Sequence, residues 1–273
     1  MEVTLLGTGD TTGTPTVGCD CDTCEQARER GVERTRFSVH VRSASGETLL
    51  VDAAPDFRYQ FLREGLSVPD AILISHVHFD HLDGLGNVYR LTRDVPVHAA
   101  DETDPQTGES VAETVRRRYD YLDALGVEPQ SPFEPFEAAG LEVTLVPVDH
   151  PPLVCYGAVL TDPETGGTLA LTGDTSYDIP ERSREALSGA DLLLADGIVP
   201  ASNCEYHPMG GAHRDDSGTP RTFGTKHMTI EGARDMCARL DAATHRMVHV
   251  SHYVPAERAF AEDLAVDGER FDL

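Results

Sequence analysis

Residues 72–85 read ILISHVHFDHLDGL. An uncharged aliphatic run gives way, within eight positions, to three histidines and two aspartates. Successive side chains of a strand face opposite sides, so a run that is apolar at every position belongs to a sheet covered on both faces. Imidazoles and carboxylates crowded at the end of such a strand must be hydrated, paired or bound to a cation, because burying them unpartnered is costly. The chain is therefore constrained to a layered fold with a polar site just beyond a strand end.

Written as H-x-H-x-D-H, this segment offers His76, His78, Asp80 and His81. Alternating histidines followed by a carboxylate and a histidine can supply two adjacent metal sites. The same letters would also suit surface histidines ahead of a helix capped by Asp80. One segment cannot complete two sites, so further donors must arrive from other strand ends. His150 closes VTLVPVDH ahead of two prolines, Asp174 closes LALTGD, and His249 sits in RMVHVSH. A single strand-end histidine is ordinarily just exposed and GD is ordinarily a turn. Their joint occurrence with the histidine segment favours metal.

Strands are expected at EVTLLGT, FSVHVRS, ETLLVDA, AILISH, VPVHAA, LEVTLVPV, VCYGAVLT, TLALTGD, DLLLADGI and HRMVHVS. Helices are expected at DFRYQFLREG, SVAETVRRRYDYLDAL, SREALSG and TIEGARDMCARLDA. No linker or repeat divides the chain, so one domain over residues 1–273 is expected, of α+β class, with two mixed sheets face to face and helices outside each. The stretch 202–228, rich in Gly, Pro, Asp and His, reads as a long loop walling the site. Cys204, His207 and His213 within it are too irregularly spaced for a convincing metal site. His40 and His98 alternate with valines and read as structural or exposed strand residues, while Cys155 and Cys237 fall in apolar patterns and read as core.

SHVHFDHLDGL, followed by DH, TGDT and a late strand-end histidine, resembles the metallo-β-lactamase superfamily over nearly the whole chain. The resemblance implies a four-layer αββα sandwich, with His76, His78 and His150 on one metal, Asp80, His81 and His249 on a second, and Asp174 bridging them. GCDCDTC narrows it. Cys19, Cys21 and Cys24 can place three thiolates on one ion, and a structural zinc needs a fourth ligand. His252 lies three residues beyond His249. An early cysteine triad with a late histidine resembles the PhnP-type cyclic phosphodiesterases, which implies a structural zinc on Cys19, Cys21, Cys24 and His252. His227 stands before MTIEGARDMCARL, where Thr229 reads as the N-cap of a helix whose positive end favours phosphate. The resemblance gives it a role in binding phosphate or protonating the leaving group.

The resemblance implies hydrolysis of a small cyclic ribose or nucleotide phosphodiester by a hydroxide bridging two divalent ions, Mn2+ or Zn2+, with Asp80 and His227 as the catalytic pair. Ribonuclease Z shares the metal motif. Yet a formal charge of −25, from 47 acidic against 22 basic residues, argues against gripping nucleic acid or an anionic membrane. Two further functions fit the same ligands: that of a PqqB-like protein, which carries a similar cysteine triad, and that of a non-catalytic metal sensor. The dispersed acidity suits a proteome adapted to high salt. No signal peptide or long apolar run is present, so a cytoplasmic protein is expected, with a homodimer as the family expectation.

Overall fold

The computed structural model describes residues 1–92 and 94–273. The first sheet is built from β1 (Glu2–Gly7), β2 (Ser38–Arg42), β3 (Thr48–Val51), β4 (Ala71–Ile74), β5 (Val95–Ala100) and β6 (Leu125–Gln130). The second is built from β7 (Phe136–Ala138), β8 (Leu141–Val148), β9 (Cys155–Thr161), β10 (Thr168–Leu171) and β11 (Leu192–Asp196). A small third sheet holds β12 (Gly211–Arg214), β13 (Pro220–Phe223) and β14 (His227–Met228). The chain then returns: β15 (Thr244–Val248) joins the second sheet beside β11, and β16 (Arg270–Asp272) joins the first beside β1.

Each large sheet is mixed, and the change of direction positions the site. In the first sheet β1 to β3 are antiparallel, while β3 to β6 run parallel. In the second, β7 to β10 are antiparallel and β10, β11 and β15 parallel. Parallel neighbours need crossovers, which here contain α2 (Phe57–Glu64), α3 (Phe79–Leu82) and α4 (Val111–Arg118) for the first sheet and α5 (Glu181–Leu187) and α6 (Ile230–Leu240) for the second. Parallel strands also bring their carboxyl ends to one edge, where sites in open sheets form.

The wholly apolar strands are covered on both faces. On β11, Leu192 and Leu194 join the core between the sheets, while Leu193 and Ala195 face Ala233, Met236 and Leu240 of α6. Burying each such leucine contributes roughly 1.5–3 kcal/mol. The expected arrangement of two mixed sheets with helices is present.

Two expectations need correction. The helix expected to run to residue 125 stops at Arg118: Tyr119 and Leu122 continue its apolar stripe into the same core, but from turns rather than a helix, and Leu125–Gln130 pairs with β5 instead. Residues 202–228 are not a loop. A 3-10 turn (Ala201–Tyr206) leads into β12, β13 and β14, whose two- to four-residue strands are too short to show a period. An unexpected helix, α1 (Asp22–Arg30), starts inside the cysteine cluster, with Cys21 as its N-cap and Cys24 in its first turn.

Candidate metal centre

The carboxyl ends of β4, β10, β11 and β15 and the segment after β8 converge at one edge of the two large sheets. The apolar β4 delivers Ser75 and His76; α3 then turns Asp80 and His81 back toward the same point. His150 follows β8, Asp174 follows β10 and His249 follows β15.

Asp174 is the hub. Its Oδ2 lies 3.8 Å from His76 Nε2, 3.3 Å from His81 Nε2 and 3.4 Å from His249 Nε2. Around it, His76 Nε2 and His150 Nε2 both face His78 Nδ1, at 2.9 and 3.2 Å. On the other side Asp80 Oδ2 is 3.8 Å from His81 Nε2 and 3.6 Å from His249 Nε2. Two donor groups result, His76, His78, His150 and Asp174 in one and Asp80, His81 and His249 in the other, each with its ligand atoms within 4.8 Å of one another.

Groups behind the histidines fix their tautomers. His81 Nδ1 donates to Asp52 Oδ2 (2.7 Å) and His150 Nδ1 to the Lys226 carbonyl (3.1 Å). Ser75 Oγ donates to Asp52 (2.7 Å), so it accepts from His76 Nδ1 (3.0 Å). With Nδ1–H donating to an outward acceptor in all three, Nε2 is the nitrogen turned toward the centre. His81 Nε2 and both nitrogens of His249 are buried with no hydrogen-bond partner. Orphaned polar atoms of this kind cost about 1–3 kcal/mol each, and a cation would relieve those that face the centre. The donor set fits divalent metal.

The electrostatics divide the two groups. Burial pushes His150 down to about 3 and holds His76 and His78 below the usual imidazole range. Burial also opposes charge on His81 and His249, but the carboxylates outweigh it: Asp174 and Asp52 raise His81 well above its ordinary value, and Asp174 and Asp80 raise His249 to about 9. Those imidazoles in turn hold Asp80 and Asp174 well below the usual carboxylate range despite their burial. Burial thus keeps positive charge out of the first group, while the carboxylates draw it to the second.

His227 lies beside both. Its ring stacks on His249 at 4.8 Å between centroids, and its Nδ1 is 3.0 Å from Asp196 Oδ2. Thr229 caps α6 as expected, accepting from Gly232 N at 3.0 Å.

The cysteines form a separate group. Sγ of Cys19, Cys21 and Cys24 lie 3.5, 3.6 and 3.6 Å from His252 Nδ1. Zinc–sulfur and zinc–nitrogen bonds of about 2.3 and 2.0–2.1 Å at a tetrahedral angle put sulfur and nitrogen about 3.5–3.6 Å apart, so the spacing fits zinc. Burial resists thiolate formation at Cys21, but the Cys24 amide and His252 bring it down to about 6, whereas burial raises Cys24 to about 11.

Cys204, His207 and His213 do not converge. Cys204 and His213 each contact Thr222, while His207 packs edge-on to Phe223. Asp52, Asp196 and Thr11, whose Oγ1 donates to Asp80 at 2.8 Å, carry no motif that would have singled them out. The two aspartates end apolar runs, VDA and LLLAD, the same signal that marks Asp174.

Residues 47–250 match the Beta-lactamase superfamily domain. The chain belongs to this superfamily. A solved superfamily neighbour, a diphosphatase from the PhnP family, superposes with a TM-score of 0.77 at 29% identity, covering 100% of this chain and 97% of that one. The octanoyltransferase of Porphyromonas gingivalis is 29% identical over 97% of this chain, which spans 49% of that relative's length. Coenzyme PQQ synthesis protein B of Methylobacterium radiotolerans is 27% identical over 93% of this chain and 91% of its own. The fold is the metallo-β-lactamase sandwich and implies divalent metal ions. No helix among the described residues is long and apolar enough to cross a membrane.

Proposed function

We propose that this protein is a metal-dependent phosphodiesterase hydrolysing a small cyclic phosphodiester of ribose or a nucleotide. The carrying observation is the pair of donor groups gathered on Asp174, with His227 held beside them by Asp196. In this reading His76, His78 and His150 would hold one Mn2+ or Zn2+ and Asp80, His81 and His249 a second, with Asp174 as a ligand shared by the two groups, and Cys19, Cys21, Cys24 and His252 would hold a structural zinc. Such ions acidify water and polarise phosphoryl oxygens.

The chain's own residues then orient and protonate. Thr11 and His249 fix Asp80, and Asp196 fixes the His227 ring, leaving Nε2 to act. Water gives up a proton to solvent as its oxygen bonds to phosphorus and the P–O ester bond breaks; His227 Nε2–H, hydrogen-bonded to the ester oxygen that leaves, passes its proton to that alkoxide and is reprotonated from solvent. A cyclic substrate opens to a phosphomonoester. The charge of −25 supports a small-molecule partner over stable nucleic-acid or membrane binding, and a homodimer is part of the proposal. Near full-length similarity to a coenzyme PQQ synthesis protein supports a PqqB-like role as the second reading.

Hydrolysis of bis(p-nitrophenyl) phosphate with added Mn2+ or Zn2+ tests this. Asp80→Ala is expected to lose metal and activity together; His227→Ala should keep its metal and lose about 10²–10⁴ in kcat. Cleavage of pre-tRNA without cleavage of small diesters would assign a ribonuclease Z-like activity. Absence of metal-dependent hydrolysis of any diester would leave the PqqB-like or sensor role.

A further inference from the structure

A cavity of about 700 Å³ opens beside the hairpin of β12 and β13, walled also by α5, α6 and the segment after β10. None of its lining residues belongs to either donor group of the candidate centre or to the cysteine group. Arg184, Arg214, Arg221 and Arg239 line it together with four aspartates, so the lining is charge-balanced in a chain of formal charge −25. Arginine is concentrated here.

Half of these charges satisfy one another. Arg221 reaches Asp215 at 3.0 Å and Asp235 at 3.6 Å, and Arg239 pairs with Asp235 at 2.7 Å, where the Tyr177 hydroxyl also donates. The other half has no such partner. Arg184 Nη1 donates to the Ile179 carbonyl at 2.9 Å and Arg214 Nη1 to the Gly218 carbonyl at 2.6 Å, and among the described residues no carboxylate oxygen lies within 4.0 Å of either guanidinium. Asp178 and Asp216 are exposed, and no described cation lies within 4.0 Å of them.

His213 adds an oriented donor. Its backbone is held at φ 50°, a conformation that costs free energy outside glycine and gathers at ligand sites. Its Nδ1 lies 2.8 Å from Thr222 Oγ1, a buried hydroxyl that already accepts from Tyr177 N at 2.9 Å. Among the described residues that hydroxyl hydrogen has no other acceptor, so it goes to Nδ1 and leaves the proton of the neutral ring on Nε2.

These guanidinia enter one cavity from α5, β12, β13 and α6. A planar carboxylate offers such a set a single edge, whereas a phosphate offers oxygens in several directions. Ionised Asp178 and Asp216 accept hydrogen bonds and cannot donate, which matches them to hydroxyls on the same ligand. The volume falls within the roughly 300–1,000 Å³ of small-molecule sites, room for an organic body besides the phosphate.

We propose that this cavity is a second ligand site that takes the phosphomonoester of a polyol, its phosphate on Arg184, Arg214 and His213 and its hydroxyls on Asp178 and Asp216. The site stands whatever reaction the metal centre performs.

The test uses the metal-loaded full chain with glucose 6-phosphate as probe. Phenylglyoxal modification of each arginine is followed by peptide mass spectrometry. Glucose 6-phosphate should slow modification of Arg184 and Arg214 several-fold, glucose should not, and Arg58, exposed on α2, should be indifferent to both. By calorimetry, Arg184→Gln and Arg214→Gln should each raise Kd about tenfold, the scale of one charge-assisted hydrogen bond. Asp178→Ala should weaken glucose 6-phosphate and leave inorganic phosphate unchanged. Modification indifferent to glucose 6-phosphate overturns the proposal, as does equal protection by succinate, which would make this a carboxylate site. Binding that His227→Ala abolishes and neither arginine change affects would place the ligand at the metal centre, and overturns it too.

Discussion

Asp52 and His249 adopt positive φ, 58° and 59°, although neither is glycine. Such backbone costs of order 1–3 kcal/mol per residue and persists where surrounding contacts over-determine it. At Asp52 those contacts are visible: its carboxylate accepts from Ser75 N, Ser75 Oγ and His81 Nδ1. Asp52→Asn would remove the negative acceptor behind His81, and is expected to weaken metal binding by about 10–100-fold, measured by competition with a chromophoric chelator. Asp196→Asn separates the two functions. It should leave metal content intact and lower kcat by a similar factor, because Asp196 contacts His227. The sequence singles out Asp174 through TGDT, while Asp52 and Asp196 are marked only as aspartates at the end of apolar runs. Which carboxylate faces the cation and which stands behind an imidazole depends on how strand ends from two sheets meet, and no local pattern encodes that.

Strands are the most legible elements, because burial on one or both faces leaves either alternation or an unbroken apolar run. His40 shows what such burial does to chemistry. It sits on β2 between β1 and β3, 6% exposed and edge-on to Phe61, and burial pushes its pKa down from 6.5 to about 4. The unfolded chain therefore takes a proton near 6.5 that the fold refuses until about 4, so this contribution to stability is complete above 6.5 and is lost as pH falls toward 4. Between pH 7 and 5 the loss should be about 1–2 kcal/mol, read as the part of the urea-unfolding pH dependence that His40→Leu removes. Elements lacking such a pattern stay hidden. Strands β12 to β14 exist by mutual pairing and by packing under α6 and the 3-10 turn. The arginine-rich end of α4 reads as helix, while the competing pairing of β6 with β5 lies outside any local window.

Across the whole molecule, the cysteine group joins segments more than two hundred residues apart, since Cys19, Cys21 and Cys24 meet His252. Thr23 Oγ1 adds a bond to the Val254 carbonyl, and Thr8 O accepts from Val250 N. Zinc bound there would cross-link the N-terminal loop to the strap that carries His249, so binding would contribute directly to folding. Cys21→Ser is expected to lose one zinc per chain, lower the melting temperature, and raise hydrogen exchange in residues 9–24 and 249–254 together. Unchanged exchange at 249–254 would show that the two ends are held independently. The ligand types are legible from spacing alone, but the 3.5–3.6 Å convergence on one imidazole is a property of the folded chain.

Only Val250 and Ser251 stand between His249 and His252, and both are fixed, Val250 N to Thr8 O at 3.0 Å and Ser251 N to Ile198 O at 2.9 Å. This dipeptide acts as a ruler with a different donor set at each end, imidazoles and carboxylates at His249 and thiols at His252. Lengthening it by one residue would carry one imidazole out of register whichever end stayed put. Changes within residues 202–224 would leave this spacing untouched, whereas a single insertion between the two histidines would disturb both donor sets at once.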